Sequence, residues 1–230
     1  VQHHQFLISA LFSALFQPKF KLCTLCPDGM DMHSHLLWGV DDGARTQAES
    51  LELISLLKKR GFRGACCTPH VISRYPWNTA TSLKVRFREL VNAVPDEDFE
   101  LRLAAEYMLD DHFERQFTEE EPLSPDGTHI LVELPQYRLP DAWMDMLLLI
   151  KDRGYVPVLA HPERYGKILT PEELAALAAQ GILFQGNIGS LCGFYGQKCR
   201  ELARKFQQEN LYFWWGTDAH NAIMINKLRL

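Results

Sequence analysis

Gly154-Tyr155-Val156-Pro157-Val158-Leu159-Ala160-His161-Pro162 is the stretch that decides the fold. An apolar run of strand length follows a helical segment closed by Gly154, and it stops at a histidine held in front of a proline. The same alternation recurs from residue 30 onward. Strands are expected at Met30 to His35, Gly64 to His70, Phe99 to Tyr107, His129 to Leu134, Val156 to His161, Ile182 to Ile188 and Leu211 to Asp218. Helices are expected between them, at Thr46 to Arg60, Thr79 to Val94, Leu109 to Thr118, Asp141 to Arg153, Pro171 to Gln180 and Tyr195 to Gln208. Such alternation argues for βαβ units and a parallel sheet rather than a sandwich. Parallel β/α units that close on themselves form a barrel whose active site lies at the C-terminal ends of the strands. Thr170, Pro171 and Glu173 make a capping box, and Gly61, Gly154 and Gly181 each follow a helical run.

With 230 residues, 47% hydrophobic and 23% charged, the chain can bury one sizeable core as a single domain. A net charge of −5 without a long Lys/Arg run leaves no footprint for nucleic acid. The six cysteines include adjacent Cys66 and Cys67 in an apolar run, which suits buried free thiols and a reducing cytoplasm. Cys23 and Cys26 have redox or zinc spacing, but a single pair without a second one reads as chance. The apolar segment Phe6 to Phe16 is too short to span a bilayer and lacks the flanks of a signal peptide, so it is expected as an appended helix.

Candidate metal ligands fall where the expected strands end. His33 and His35 are two apart, so in a strand both imidazoles point to one face and can chelate one ion. Asp42 can reach back as a carboxylate ligand while Asp41 caps the helix entered near Thr46, and spacing alone does not separate the two aspartates. His70 follows Pro69 and His161 precedes Pro162, each at a stiff turn. Glu106 closes an apolar run, where a carboxylate is costly to bury unless paired or metal-bound. Asp218 and His220 repeat the two-apart geometry on the last strand. These donors suit Mn, Zn or Fe, and with no cysteine among them a structural zinc clip is a poor description. His3, His4, His112 and His129 are read as ordinary residues. Arg74-Tyr75-Pro76-Trp77 forms either a lid over an aromatic substrate or a surface loop packed by its own aromatics.

The motifs Asp31-Met32-His33-Ser34-His35-Leu36, Val40-Asp41-Asp42-Gly43 and Ala160-His161-Pro162-Glu163-Arg164-Tyr165 resemble the PHP (polymerase and histidinol phosphatase) superfamily. Within it, the chain is similar to the bacterial manganese-dependent tyrosine-protein phosphatases of capsular and exopolysaccharide gene clusters. The resemblance runs from Met30 to Asn221, which sets a PHP-type domain at 30–230 apart from an N-terminal extension at 1–29. It implies a distorted seven-stranded (β/α) barrel in which His33, His35, Asp42, His70, Glu106, His161, Asp218 and His220 bind three divalent metal ions, manganese first, with iron or zinc as alternatives. It also implies that Arg164 holds the substrate phosphate, and that the substrate is the phosphotyrosine tail of a bacterial tyrosine kinase. Past His220 the segment Asn221-Ala222-Ile223-Met224-Ile225 departs from the family's pattern, which often carries a further arginine.

The chemistry expected of such a site is hydrolysis by metal-activated water, with Arg164 gripping phosphoryl oxygens and Tyr75 and Trp77 stacking on a phenol ring. His70 or His220 can serve as acid, and spacing does not choose between them. A thiol route requires a cysteine followed by five residues and an arginine, and none of the six cysteines meets this. The alternatives are a small-molecule phosphoesterase such as a histidinol-phosphate phosphatase, and an inactive kinase-docking module, which the intact ligand set argues against. Homo-oligomerisation is left open.

Overall fold

The computed structural model describes residues 22–26, 28–94 and 98–229. The segment Phe6 to Phe16 and both His3 and His4 lie outside the described residues. Among the described residues nine strands run β1 (Met30–Ser34), β2 (Gly64–Cys67), β3 (His70–Val71), β4 (Glu100–Leu103), β5 (Glu106–Met108), β6 (His129–Glu133), β7 (Val156–Ala160), β8 (Leu183–Asn187) and β9 (Tyr212–Gly216). The helices are α1 (Gln47–Lys59), α2 (Ala80–Ala93), α3 (Phe113–Glu119), α4 (Trp143–Asp152), α5 (Pro171–Ala179), α6 (Ile188–Leu191), α7 (Gln197–Gln208) and α8 (Ala222–Lys227).

All strand pairings are parallel, as the alternation predicts. Among the described residues the strands form two sheets, ordered β1-β2-β4 and β3-β5-β6-β7-β8-β9, rather than one continuous closed ladder. The expected strands Gly64 to His70 and Phe99 to Tyr107 each break in two, at Thr68-Pro69 and at Ala104-Ala105. These breaks lie side by side, because Cys67 is in register with Leu103 below them and His70 with Glu106 above. Pro69 has no N–H to donate, so the ladder is interrupted there and resumes one residue later. The last and first strands meet through an isolated bridge, Ser34 to Ala219, rather than a ladder. Two backbone bonds flank it, Asp218 N–H to His33 O at 2.7 Å and His35 N–H to Ala219 O at 3.0 Å. Gly216 permits this approach, since a Cβ there would sit 2.5 Å from that of His33.

The helices bury one stripe each against the sheets, including Leu53 and Leu57 of α1, Leu83 and Leu90 of α2, Phe113 and Phe117 of α3, and Leu174 and Leu177 of α5. Each such leucine contributes about 1.5–3 kcal/mol by leaving water. The capping box of α5 is present, with Glu173 N–H donating to Thr170 Oγ1 at 3.2 Å and Thr170 N–H to Glu173 Oε2 at 2.7 Å. Gly61, Gly154 and Gly181 take the left-handed conformation that ends α1, α4 and α5. Helix starts expected at Leu109 and Tyr195 are corrected to Phe113 and Gln197. The strand expected to reach Ile188 stops at Asn187, whose Oδ1 accepts from Gly189 N–H at 2.7 Å and opens α6.

Candidate metal centre

Of the two histidines that the sequence singles out, His33 lies on β1 and His35 just past its end, and both rings have their outer nitrogen engaged. His33 Nδ1 lies 2.8 Å from Gln185 Oε1 on β8, and His35 Nδ1 lies 2.9 Å from Asp41 Oδ2. A carboxylate or amide oxygen in that position requires the hydrogen on Nδ1, which leaves the Nε2 lone pairs facing inward. Those two nitrogens are 3.2 Å apart. Asp218 Oδ1 is 3.5 Å from His33 Nε2 and 3.3 Å from His35 Nε2, while Glu106 Oε2 is 3.2 and 3.5 Å from the same atoms. Four acceptors therefore converge on one point, and only one proton fits between the two nitrogens.

Asp41 orients rather than caps. Its Oδ2 also accepts from His70 N–H at 3.0 Å and its Oδ1 from Gly43 N–H at 2.9 Å. The helix start that it was expected to cap is closed by Thr46, whose Oγ1 accepts from Glu49 N–H at 3.2 Å. Gly43 lets this loop fold onto β1, because a Cβ there would lie 2.3 Å from His35 O.

All eight sequence-predicted ligands come together at the strand ends, in overlapping groups whose donor atoms lie within 4.8 Å of one another. His35, Asp42, His70 and His220 form the outer group, His33, His35 and Asp218 a second, and His33, Glu106 and His161 a third. Asp42 Oδ1 lies 3.5 Å from His70 Nε2 and 3.4 Å from His220 Nε2. His161 Nε2 lies 3.2 Å from Glu106 Oε1. His161 and Asp218 hold left-handed backbones, φ 34 and φ 54, a strain that side-chain bulk makes uncommon and that clusters at functional sites.

A fourth group, His70, Glu106 and Glu133, contains a residue that sequence reasoning missed. Glu133 ends the apolar run Ile130-Leu131-Val132 just as Glu106 ends its own, so the signal was the same. Burial, then the neighbouring Glu106 carboxylate, pushes Glu133 up to about 8. For Glu106 burial also acts upward, but His33 and His70 outweigh it and hold the carboxyl well below its ordinary range. Burial opposes the charge of His33, yet Glu106 and Asp218 push it up to about 9. His161 goes the other way, down to about 4, through burial and the adjacent Arg164.

His161 Nδ1 is buried without a hydrogen-bond partner, while Glu106 Oε2 and His70 Nδ1, 3.1 Å apart, are buried without a well-aligned hydrogen bond. Such atoms are rare in a folded interior, and a cation is one group that would complete them. With imidazole and carboxylate donors and no thiolate in the groups, the residues fit Mn, Fe or Zn. The six cysteines are free, and burial pushes the thiols of Cys26, Cys66 and Cys67 up, away from nucleophilic thiolate.

Arg164 reaches the cluster from the turn Pro162–Arg164 after β7, donating from Nη1 to Asp218 Oδ2 at 3.0 Å. Its guanidinium lies 4.6 Å from the ring centroid of Tyr195, and Asn187 Nδ2 donates to the same Asp218 oxygen at 3.0 Å. The Tyr75 and Trp77 rings pack on each other at 5.8 Å, with Trp77 59% exposed. Burial, then the Asp42 carboxylate, pushes the Tyr75 phenol up. His112 and His129 stand apart from the groups, the latter bonded to Asp126 at 2.7 Å.

Residues 29–225 match the family model described as capsular polysaccharide synthesis, CpsB/CapC. The chain belongs to this family. Tyrosine-protein phosphatase YwqE of Bacillus subtilis (strain 168) is 29% identical over 196 residues, 84% of this chain and 77% of that protein. Tyrosine-protein phosphatase CpsB of Streptococcus pneumoniae is 28% identical over 205 residues, 84% and 83% of the two chains. A structure from work on YwqE of Bacillus subtilis and CpsB of Streptococcus pneumoniae, described as unique metal-dependent tyrosine phosphatases, superposes with a TM-score of 0.71 at 27% identity. That match covers 85% of this chain and 81% of the other. The CpsB/CapC region contains each of the candidate ligands, Glu133 and Arg164.

Proposed function

We propose that this CpsB/CapC chain is a metal-dependent protein-tyrosine phosphatase, and that it hydrolyses phosphotyrosine in the tail of a bacterial tyrosine kinase during capsule or exopolysaccharide synthesis. The observation that carries this reading is the convergence of His33 Nε2, His35 Nε2, Asp218 Oδ1 and Glu106 Oε2, four acceptors that a cation satisfies together. The names of its relatives point to the same reaction. Three divalent cations, with manganese the leading candidate, would be held by His33, His35, Asp42, His70, Glu106, His161, Asp218 and His220, and Glu133 joins that set. Free cysteines fit a reducing cytoplasm, and no helix among the described residues is long and apolar enough to cross a membrane. The Ser34 to Ala219 bridge supports reading the two sheets as arcs of one distorted seven-stranded barrel.

Bound divalent cations supply a water-derived nucleophile near neutral pH and neutralise phosphoryl oxygens. Arg164 binds the non-bridging oxygens through guanidinium nitrogens not used by Asp218, in the planar fork that phosphate geometry favours. Asp41 and Gln185 keep the hydrogens of His35 and His33 on Nδ1. His70 and His220 both present Nε2 to Asp42, and whichever of them does not hold a cation can deliver a proton from that nitrogen to the leaving oxygen. A phenolate of pKa about 10 needs little such help, whereas an alkoxide needs more. Tyr75 and Trp77 offer the phenol ring an aromatic face.

Chelation should abolish turnover and manganese should restore it. A panel of phosphotyrosine peptide, phosphoserine peptide and histidinol phosphate completes the test. Full activity in protein shown by elemental analysis to be metal-free would sink the mechanism, and histidinol phosphate as the best substrate would replace the substrate class.

A further inference from the structure

A cleft of about 380 Å³ leads away from the metal centre and is lined by residues of α1 and α8. Asp42 and His220 form one end of it, so it is continuous with the outer ligand group. α8 contributes Ala222 and Ile223, and Ile223 is 64% exposed, an apolar surface left open among the described residues. α1 contributes Glu49 and Glu52. Arg45 is the cleft's cation, and it is already held by Glu49, Nη2 to Oε1 at 2.8 Å. Glu52 is exposed and has no charged partner among the described residues.

We propose, resting on the phosphatase reading, that this cleft is a subsite for a lysine or arginine that flanks the phosphotyrosine of the substrate. An apolar wall beside an uncompensated carboxylate matches a side chain with an aliphatic stem and a cationic head, the stem on Ile223 and the head at Glu52. A leucine there would leave Glu52 unanswered, and a glutamate would meet a like charge. The phosphate belongs at the end where Asp42 and His220 would hold a cation, so anion and cation of the substrate each find their complement. An extended peptide advances roughly 3.3 Å per residue, so successive flanking positions sample successive depths of the cleft.

The experiment uses manganese-loaded protein and phosphotyrosine peptides with lysine, alanine or glutamate placed in turn at each of the flanking positions. p-Nitrophenyl phosphate, which has no flanking residue, is the reference substrate. At one position the lysine peptide should exceed the glutamate peptide in kcat/KM by about threefold to tenfold, the range of a rim ion pair exchanged for a like-charge contact, and the gap should shrink with salt. Glu52→Lys should reverse that order, and Ile223→Ser should weaken the lysine preference over alanine. Turnover of p-nitrophenyl phosphate should stay within about twofold in both, since both positions lie outside the ligand groups. Turnover of the reference with indifference to flanking charge, or an order unchanged in Glu52→Lys, overturns the subsite alone. Absence of turnover on every substrate overturns the phosphatase reading and the subsite with it.

Discussion

Arg164 and Asp218 share one hydrogen bond, Nη1 to Oδ2 at 3.0 Å, while the other oxygen of the same carboxylate faces His33 and His35 at 3.5 and 3.3 Å. Asp218 thus couples the candidate phosphate ligand to the candidate metal ligands. Arg164→Ala should retain metal, as measured by elemental analysis, and lose on the order of 10²-fold in kcat/KM, the effect of deleting one electrostatic donor. Wild-type kcat/KM in that variant would show that Arg164 does not touch the phosphoryl group.

His33→Ala, Glu106→Ala and Asp218→Ala should each lower metal occupancy together with turnover, since each removes a converging acceptor. Glu133→Gln extends the test to the residue that sequence reasoning passed over. Its metal content should fall as well, and unchanged occupancy would return Glu133 to a buried structural role.

Asp41→Asn tests orientation. The amide can present its nitrogen to His35 Nδ1, and the imidazole hydrogen then loses its fixed place. Metal affinity should drop about 10- to 100-fold, the usual effect of losing an outer-sphere carboxylate, while Asp41→Glu should recover part of it. Equal affinity by isothermal titration in wild type and Asp41→Asn would remove Asp41 from the site.

The pH dependence has a definite sign. His33, pushed up to about 9, stabilises the metal-free fold fully below its unfolded value near 6.5, and that stability is lost as pH rises through 9. Glu133, pushed up to about 8, adds to the loss, because ionising it is harder in the fold than in the unfolded chain. The melting temperature of chelator-treated protein should therefore fall between pH 6 and 9, and cations should bind more tightly across the same interval as they displace the proton from His33. Scanning calorimetry with and without manganese reads both, and a metal-free melting temperature that rises over this interval would contradict the assignment.

Trp77→Ala should narrow the preference for phosphotyrosine peptides over phosphoserine peptides, by the roughly 0.5–1.5 kcal/mol of an aromatic pair. An unchanged ratio would make the Tyr75 and Trp77 contact a loop-packing feature only.

Much of the site was legible because its residues break a local rule. His33 and His35 put two polar rings on one strand face, and Glu106 sets a carboxylate at the end of an apolar run. Glu133 broke the same rule and was legible in principle. Gln185 and Asn187 carried no such mark, because an amide at a strand end is unremarkable until its partner is known, and His33 lies 152 residues from Gln185. The division between Asp41 and Asp42 needed the loop's fold onto His35. The crease at Pro69 was half visible: a proline announces a gap in a ladder, but the matching break at Ala104-Ala105 arises only from its neighbour's register. Parallel pairing and six of the helices followed from alternation and caps, which are local signals.

The meeting of the first strand with the segment after the last one, at Ser34 and Ala219, has a consequence for biosynthesis. Thr217 donates to Asp31 across 186 residues, and the ligands on β1 wait for those beyond β9. At about 5–20 residues per second, translation separates the first histidine pair from the last by on the order of ten seconds. During that time the growing chain carries His33 and His35 without Asp218, so a ribosome-bound fragment that ends before β9 can bind a cation only loosely. On the proposed reading, loading with metal is therefore a late event, and the emergence of the last strand ties off the fold and completes the candidate ligand set.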